Sequence, residues 1–175
     1  SGFPIYLINP DGTGLQPTGL AGYSVDLRPD LLKLAIGGVD GSLYTANVDG
    51  PGVLPLGGLG SYPKWSPDGT QLLFIAAGSS TMRNGSSGGG LLSVVNADGT
   101  NLRSLGVTAS DADWSPAGDR AVLTTFSYES ESMAGDLFLI GADGSGLEPL
   151  GVQGYCPRWS PDGSRIAYVG HTDEL

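Results

Sequence analysis

The chain contains few of the residues on which most protein chemistry depends, with one cysteine and one histidine among 175 residues. A single cysteine, Cys156, excludes an intramolecular disulfide. Cys156 and His171 together are too few thiol and imidazole ligands for a zinc site, and any Ser-His-Asp relay would depend on His171 alone. The sequence therefore predicts a protein that is not an enzyme and that holds no metal and no cofactor.

Basic residues are also scarce, because eight Lys and Arg stand against 18 Asp and Glu and leave a net charge of −10. Nucleic acid binding and attachment to anionic membrane surfaces both need clustered positive charge. Apolar runs stay well below the roughly 18 to 20 residues of a membrane span. We therefore predict no nucleic acid partner and no membrane insertion.

Glycine and proline are abundant, with 30 and 12 residues respectively. Many glycines stand in Asp-Gly or Gly-Gly pairs between short apolar runs, which is typical of tight turns between strands. Hydrophobic residues make up 39% of the chain, and this fraction is enough for a folded core. The pattern predicts an all-β domain rather than a flexible linker.

One motif recurs along the chain, which indicates a repeat architecture. It reads PKWSPDG at 63–69, ADWSPAG at 112–118 and PRWSPDG at 157–163. A degenerate copy, VDLRPD at 25–30, has leucine at the tryptophan position. Ser-Pro-Asp-Gly is a turn sequence, because proline presets φ at its second position and glycine accepts a positive φ at its end.

A second motif runs in step with the first and consists of an apolar run that ends in Asp-Gly. Each unit then contains a turn, an apolar strand, a variable loop, a third strand, an Asp-Gly hairpin and a fourth strand. Four short antiparallel strands in about 45 residues form a propeller blade. The copies of the second motif are residues 5–12, 43–50, 91–99 and 137–144.

The two motifs together resemble the TolB-type, WD-like β-propeller repeat, and the resemblance covers residues 1–175 as a single domain. It implies a non-catalytic scaffold that binds a protein partner, with a periplasmic or secreted bacterial location. Two alternatives stay open: a receptor for a small ligand or glycan at the mouth of the central channel, and an accessory propeller domain of a larger enzyme.

The repeats predict a four-bladed propeller of four-stranded antiparallel blades. Three complete blades cover about 23–60, 61–107 and 110–151, and residues 155–175 pair with residues 3–20 as a composite blade that closes the ring. Closure would leave no exposed sheet edge. We expect a monomer; an eight-bladed domain-swapped homodimer and a part of a larger propeller are the alternatives.

The residue before each tryptophan position is Asp26, Lys64, Asp113 and Arg158 in turn, so the sign of the charge alternates. The innermost strand of a blade lines the central axis of a propeller. These four residues are therefore predicted to form a ring of ion pairs across the channel, because buried charges near the axis must be paired.

The mouth of the channel is predicted from the positions just before this ring. Tyr23, Tyr62, Asp111 and Tyr155 lie three or four residues ahead of the tryptophan positions. Cys156 shares the position of Tyr62 and Asp111, and we expect it to be a small buried residue.

Two long loops between strands two and three are further candidates for recognition. They are the glycine-rich loop at 78–90 and the acidic loop at 128–135. Long loops on a rigid scaffold often carry binding residues.

Overall fold

In a computed structural model of the chain, the structure describes residues 3–77, 89–125 and 135–170. These ranges contain fourteen β-strands and no helix, and every strand pair is antiparallel. Accordingly, none of the described residues forms a helix able to cross a membrane. The strands are β1 (Pro4–Leu7), β2 (Gln16–Ala21), β3 (Ser24–Leu27), β4 (Lys33–Gly37), β5 (Ser42–Asn47), β6 (Leu54–Trp65), β7 (Gln71–Ala76), β8 (Gly90–Asn96), β9 (Arg103–Ala109), β10 (Asp111–Trp114), β11 (Arg120–Thr124), β12 (Gly135–Gly141), β13 (Glu148–Trp159) and β14 (Ile166–Gly170).

Each sheet contains strands that follow one another in sequence, as in a row of blades. The first blade consists of β1 and β2, and the second of β3, β4, β5 and the start of β6. The end of β6 then begins a third blade with β7, β8 and β9. A fourth blade contains β10, β11, β12 and the start of β13, whose end pairs with β14. The 12-residue strands β6 and β13 thus each serve two blades, outermost in one and innermost in the next.

The tryptophans of the repeat pack between neighbouring blades. Trp65 is 5% exposed in a cluster with Leu43 and Phe74, and Trp114 is 5% exposed in a cluster with Leu92 and Leu123. Each cluster joins side chains from two successive blades, so their apolar faces are removed from water only by stacking. Trp65 and Trp114 therefore belong to the core and are not available to stack on a ligand.

Strand pairing in the described residues does not show the composite blade expected from residues 155–175 and 3–20, so its closure stays a prediction. Among the described residues, β1 pairs with β2 alone and β14 pairs with β13 alone. The extensive contacts between inner strands run stepwise, from β3 to β6, from β6 to β10 and from β10 to β13. The strand pairs and these contacts link each blade to its neighbours in sequence, and pairing between β1 and β14 is not among them in the described residues.

The long loops fall almost entirely outside the described residues, which exclude 78–88 and 126–134. His171 also lies outside them. The interpretation of these segments as recognition loops therefore stays a prediction.

Candidate functional site

The four inner strands are joined by hydrogen bonds between side chains of one strand and the backbone of another. Oδ2 of Asp26 accepts a hydrogen bond of 2.8 Å from the backbone N–H of Trp65 in the next blade. Oδ2 of Asp113 accepts the equivalent bond of 2.9 Å from the backbone N–H of Trp159. An ionised acceptor strengthens such bonds. Asp26 and Asp113 therefore each fix the next inner strand in place.

The third blade, which lies between those of Asp26 and Asp113, uses a different connection to the next blade. Lys64 occupies the equivalent position there, and its side chain has no acceptor. Here the indole Nε1–H of Trp114 donates to the backbone carbonyl of Lys64 at 3.2 Å. The indole Nε1 atoms of Trp65 and Trp159 are buried and have no partner in the described residues. The alternation of acidic and basic residues thus corresponds to two ways of joining successive blades.

The structure brings together only part of the predicted charge ring. Nζ of Lys64 lies 3.8 Å from Oδ1 of Asp26, and both side chains are 26% exposed. Arg158 does not pair with Asp113, because its Nη1 atom donates to Oδ2 of Asp111 at 2.9 Å. The Arg158 side chain is 43% exposed. Ion pairs that are this exposed contribute little to stability.

The surroundings of Asp113 alter its titration. Burial raises the pKa of its carboxyl above the usual 3.8, because the charged form loses hydration. The hydrogen bond from Trp159 and the positive charges of Arg158 and Lys64 act in the opposite direction. The carboxylate is therefore held at a cost in hydration, which these favourable contacts partly offset.

The predicted mouth residues fall into two kinds. Tyr23, Tyr62 and Tyr155 are 66%, 51% and 43% exposed. The ring of Tyr23 packs on Phe3 at 5.6 Å between centroids, with the planes tilted by 60°. Asp111, by contrast, has a side chain only 16% exposed, consistent with its pairing to Arg158. The tyrosines lie three or four residues before the tryptophan position, near the start of each inner strand, and their place at a channel mouth stays a prediction.

Sequence reasoning missed a bulge that recurs in two of the inner strands. In β6 the register with β7 shifts between Ser61 and Lys64, and in β13 the register with β14 shifts between Tyr155 and Arg158. The extra residue of each bulge has a left-handed backbone, with φ of 53° at Tyr62 and 54° at Cys156. Such bulges re-aim a side chain and store local strain.

The signal for both bulges is the proline that follows. Tyr62 precedes Pro63, and Cys156 precedes Pro157. Proline cannot donate to a strand ladder, so within strands it favours edges and bulges. The expectation that Cys156 is buried was wrong, because its side chain is exposed at the bulge. The backbone N–H of Tyr62 is held by Oγ of Ser24 at 3.0 Å.

In residues 3–77, 89–125 and 135–170 no group of three His, Cys, Asp or Glu side chains is placed to hold a metal ion. The turn aspartates are instead occupied by local hydrogen bonds. Asp68, for example, accepts from the hydroxyls of Ser66 and Thr70 and from the Thr70 amide.

Comparison with known proteins supports the propeller architecture. No family model matches this chain, and no curated protein sequence matches it either. Solved structures do match. A protein assigned as TolB from Agrobacterium tumefaciens superposes over 95% of this chain and 65% of its own, with a TM-score of 0.75 and 20% sequence identity.

Two other similar structures come from enzymes. Hydrazine synthase of Kuenenia stuttgartiensis matches over 93% of this chain and 48% of its own, with a TM-score of 0.65 and 16% identity. Oligogalacturonate lyase of Vibrio parahaemolyticus matches over 99% of this chain and 54% of its own, with a TM-score of 0.68 and 13% identity. The chain thus has the β-propeller fold, and it spans about half to two thirds of the structures that it matches.

Proposed function

We propose that this chain is a non-catalytic propeller scaffold that binds a protein partner at the channel mouth. The observation that carries the proposal is the exposure of Tyr23, Tyr62 and Tyr155 at one end of the inner strands. Tyrosine offers a large contact area with one polar atom and few rotatable bonds, and it is enriched in the centres of protein interfaces.

The backbone around these side chains supports the same proposal. Tyr62 is held in a left-handed bulge by Ser24, and the equivalent bulge follows Tyr155 directly. A rigid support lowers the conformational entropy that an interface side chain loses on binding. The partly buried Asp111–Arg158 pair adds one polar contact beside the tyrosines. The mouth therefore combines aromatic anchors with a preorganised backbone.

The test is a selection of peptide binders from a displayed library against the intact chain. Binders that use the mouth should lose about 10-fold or more in affinity for Tyr62→Ser, which corresponds to about 1.4 kcal/mol. Leu147→Ser is the matched control, because Leu147 is 49% exposed but lies at the outer rim, just before β13. Equal affinity for both variants would contradict the proposal. Stabilisation by a sugar that requires Tyr62, without peptide binding, would favour the ligand-receptor alternative instead.

A second candidate function is an accessory propeller within a larger enzyme. The observation that favours it is the match to hydrazine synthase, which shares the fold over 48% of its own chain. A parent reading frame that contains a catalytic domain beside this one would support this candidate.

We further propose that the propeller ring is completed by strands outside the single chain. The unpaired edges of β1 and β14 support this form over the closed four-bladed monomer. Exposed edges of this kind are templates for pairing with another strand.

A further inference from the structure

We infer that a second copy of this chain completes the ring, with β14 of each copy paired to β1 of the other. The inference rests on the proposal above that strands outside the single chain complete the propeller ring. It gives that completion a definite partner and a definite strand register.

The two half-blades are complementary. In the three blades with four strands, strand two pairs with strand three, as β4 does with β5, β7 with β8 and β11 with β12. By repeat position β14 is a strand two without its strand three, and β1 is a strand three without its strand two. One copy therefore lacks at each end what a second copy would supply.

The complete blades also predict the register. The first residue of strand two lies opposite the last residue of strand three in each of them, as Lys33 does with Asn47, Gln71 with Asn96 and Arg120 with Gly141. Arg165 and Asn9 occupy these two positions in the half-blades. The predicted opposite pairs between the two copies are then Ile166 with Ile8, Ala167 with Leu7, Tyr168 with Tyr6, and Val169 with Ile5.

This pairing would cover side chains that the single chain leaves exposed. Tyr6 and Ile8 are 52% and 58% exposed, and Tyr168 and Val169 are 41% and 46% exposed. The equivalents of the latter two in the third blade, Phe74 and Ile75, are only 1% and 6% exposed. Exposed apolar side chains on two complementary edges are typical of an interface. Burying them is favourable in proportion to the apolar area removed from water.

The charge pattern is compatible with a second copy as the occupant. Along one chain the residue before the tryptophan position changes sign at every blade, from Asp26 to Lys64, Asp113 and Arg158. In a ring of two copies, the blade of Arg158 is followed by the blade of Asp26 from the second copy. The alternation then continues without a like-charged neighbour, because the junction repeats the step from Lys64 to Asp113. Like charges side by side would instead oppose assembly.

A disulfide across the predicted pair tests the register. Leu7→Cys and Ala167→Cys are combined in a Cys156→Ser chain, which removes the native thiol. The equivalent pair, Leu73 and Val94, lies three positions along the ladder from the hydrogen-bonded pair in which the Ala97 N–H donates to the Thr70 carbonyl. Opposite residues alternate along a ladder, so this is a non-hydrogen-bonded pair with the closer Cα spacing of about 4.5 Å, within disulfide range.

We expect oxidation to give a species of twice 17.8 kDa that is linked by disulfides, and the unmodified chain to show the same doubled mass by light scattering. The control pair Leu7→Cys and Val169→Cys is displaced by two residues and should form much less of the linked species. A disulfide within one chain would overturn the inference in favour of a closed four-bladed ring. A mass of 17.8 kDa with free thiols would overturn it as well.

The outcome of the disulfide and mass test does not depend on the residues proposed for the channel mouth. Tyr62→Ser should leave the doubled mass unchanged, because Tyr62 lies on β6, which pairs with β5 and β7 and not with β1 or β14. Loss of peptide binding with an intact dimer would therefore be distinguishable from loss of the dimer.

Discussion

Leu31 offers a direct test of how the repeat turn is built. It stands where the other three copies of the turn have glycine, and its N–H donates to the carbonyl of Arg28 at 2.8 Å. Its φ of 63° lies in the left-handed region. The equivalent glycines have the same hydrogen bond and nearly the same φ, which is 68° at Gly69, 72° at Gly118 and 71° at Gly163. The turn therefore imposes a conformation that leucine adopts only at a cost.

The change in the free energy of unfolding expected for Leu31→Gly follows from two opposing contributions. A left-handed backbone costs an L-residue with a side chain about 1–2 kcal/mol, and glycine avoids this cost. Glycine in turn loses about 0.5–1 kcal/mol through the greater freedom of the unfolded chain. Little burial is lost with the side chain, because Leu31 is 63% exposed. We therefore expect Leu31→Gly to raise the free energy of unfolding by about 0.5–1 kcal/mol.

Urea unfolding followed by tryptophan fluorescence measures this difference, and a rise of roughly 1–4 °C in Tm should accompany it. Leu32→Gly is the matched control. Leu32 is equally exposed, at 61%, but its φ is not positive, so glycine there should only destabilise. If Leu31→Gly lowered stability as much as Leu32→Gly, the explanation by backbone strain would be refuted.

Three further predictions concern the junctions between blades and the turns. Trp114→Phe should destabilise by about 1 kcal/mol more than Trp65→Phe in urea unfolding, because only Trp114 donates its indole N–H, to Lys64. An equal loss would count against that bond. Asp113→Ala should cost about 1–3 kcal/mol by leaving a backbone N–H unpaired, whereas Asp113→Asn keeps an acceptor and should cost clearly less. Identical losses would contradict this role. Hydrogen bonds, led by that of Ser160, lower the pKa of Asp162 from 3.8 to about 2. The stability from this carboxylate is therefore complete above its unfolded pKa and is lost as the pH falls through about 2, so Asp162→Asn should flatten the acid limb of a Tm-against-pH curve.

Local sequence predicted the elements of this fold well, because turns and hairpins are decided within a few residues. The Ser-Pro-Asp-Gly and Asp-Gly segments do form the predicted turns, with the Gly69 N–H donating to Ser66 and the Gly99 N–H donating to Asn96. The strict register of Trp65 and Trp114 indicated packing between blades, and both are buried there. The comparisons support the propeller fold that these elements imply.

Contacts between blades were harder to predict, because they depend on how separate sheets approach one another. The alternating charges suggested ion pairs, yet the carboxylate of Asp113 accepts from the backbone of Trp159, and Arg158 turns to Asp111. A charge pattern gives the sign at each position but not the distance between side chains. The bulge at Tyr62 could have been anticipated from the proline after it, since proline interrupts a ladder.

The amino-acid sequence by itself determined the repeat, its strands and turns, and the apolar faces that make blades stack, because these depend on local conformation and periodicity. Only the tertiary structure decided which partners the inner-strand side chains choose and which strand edges stay unpaired, because both depend on how separate sheets approach one another. Among the described residues, β1 pairs with β2 alone and β14 pairs with β13 alone.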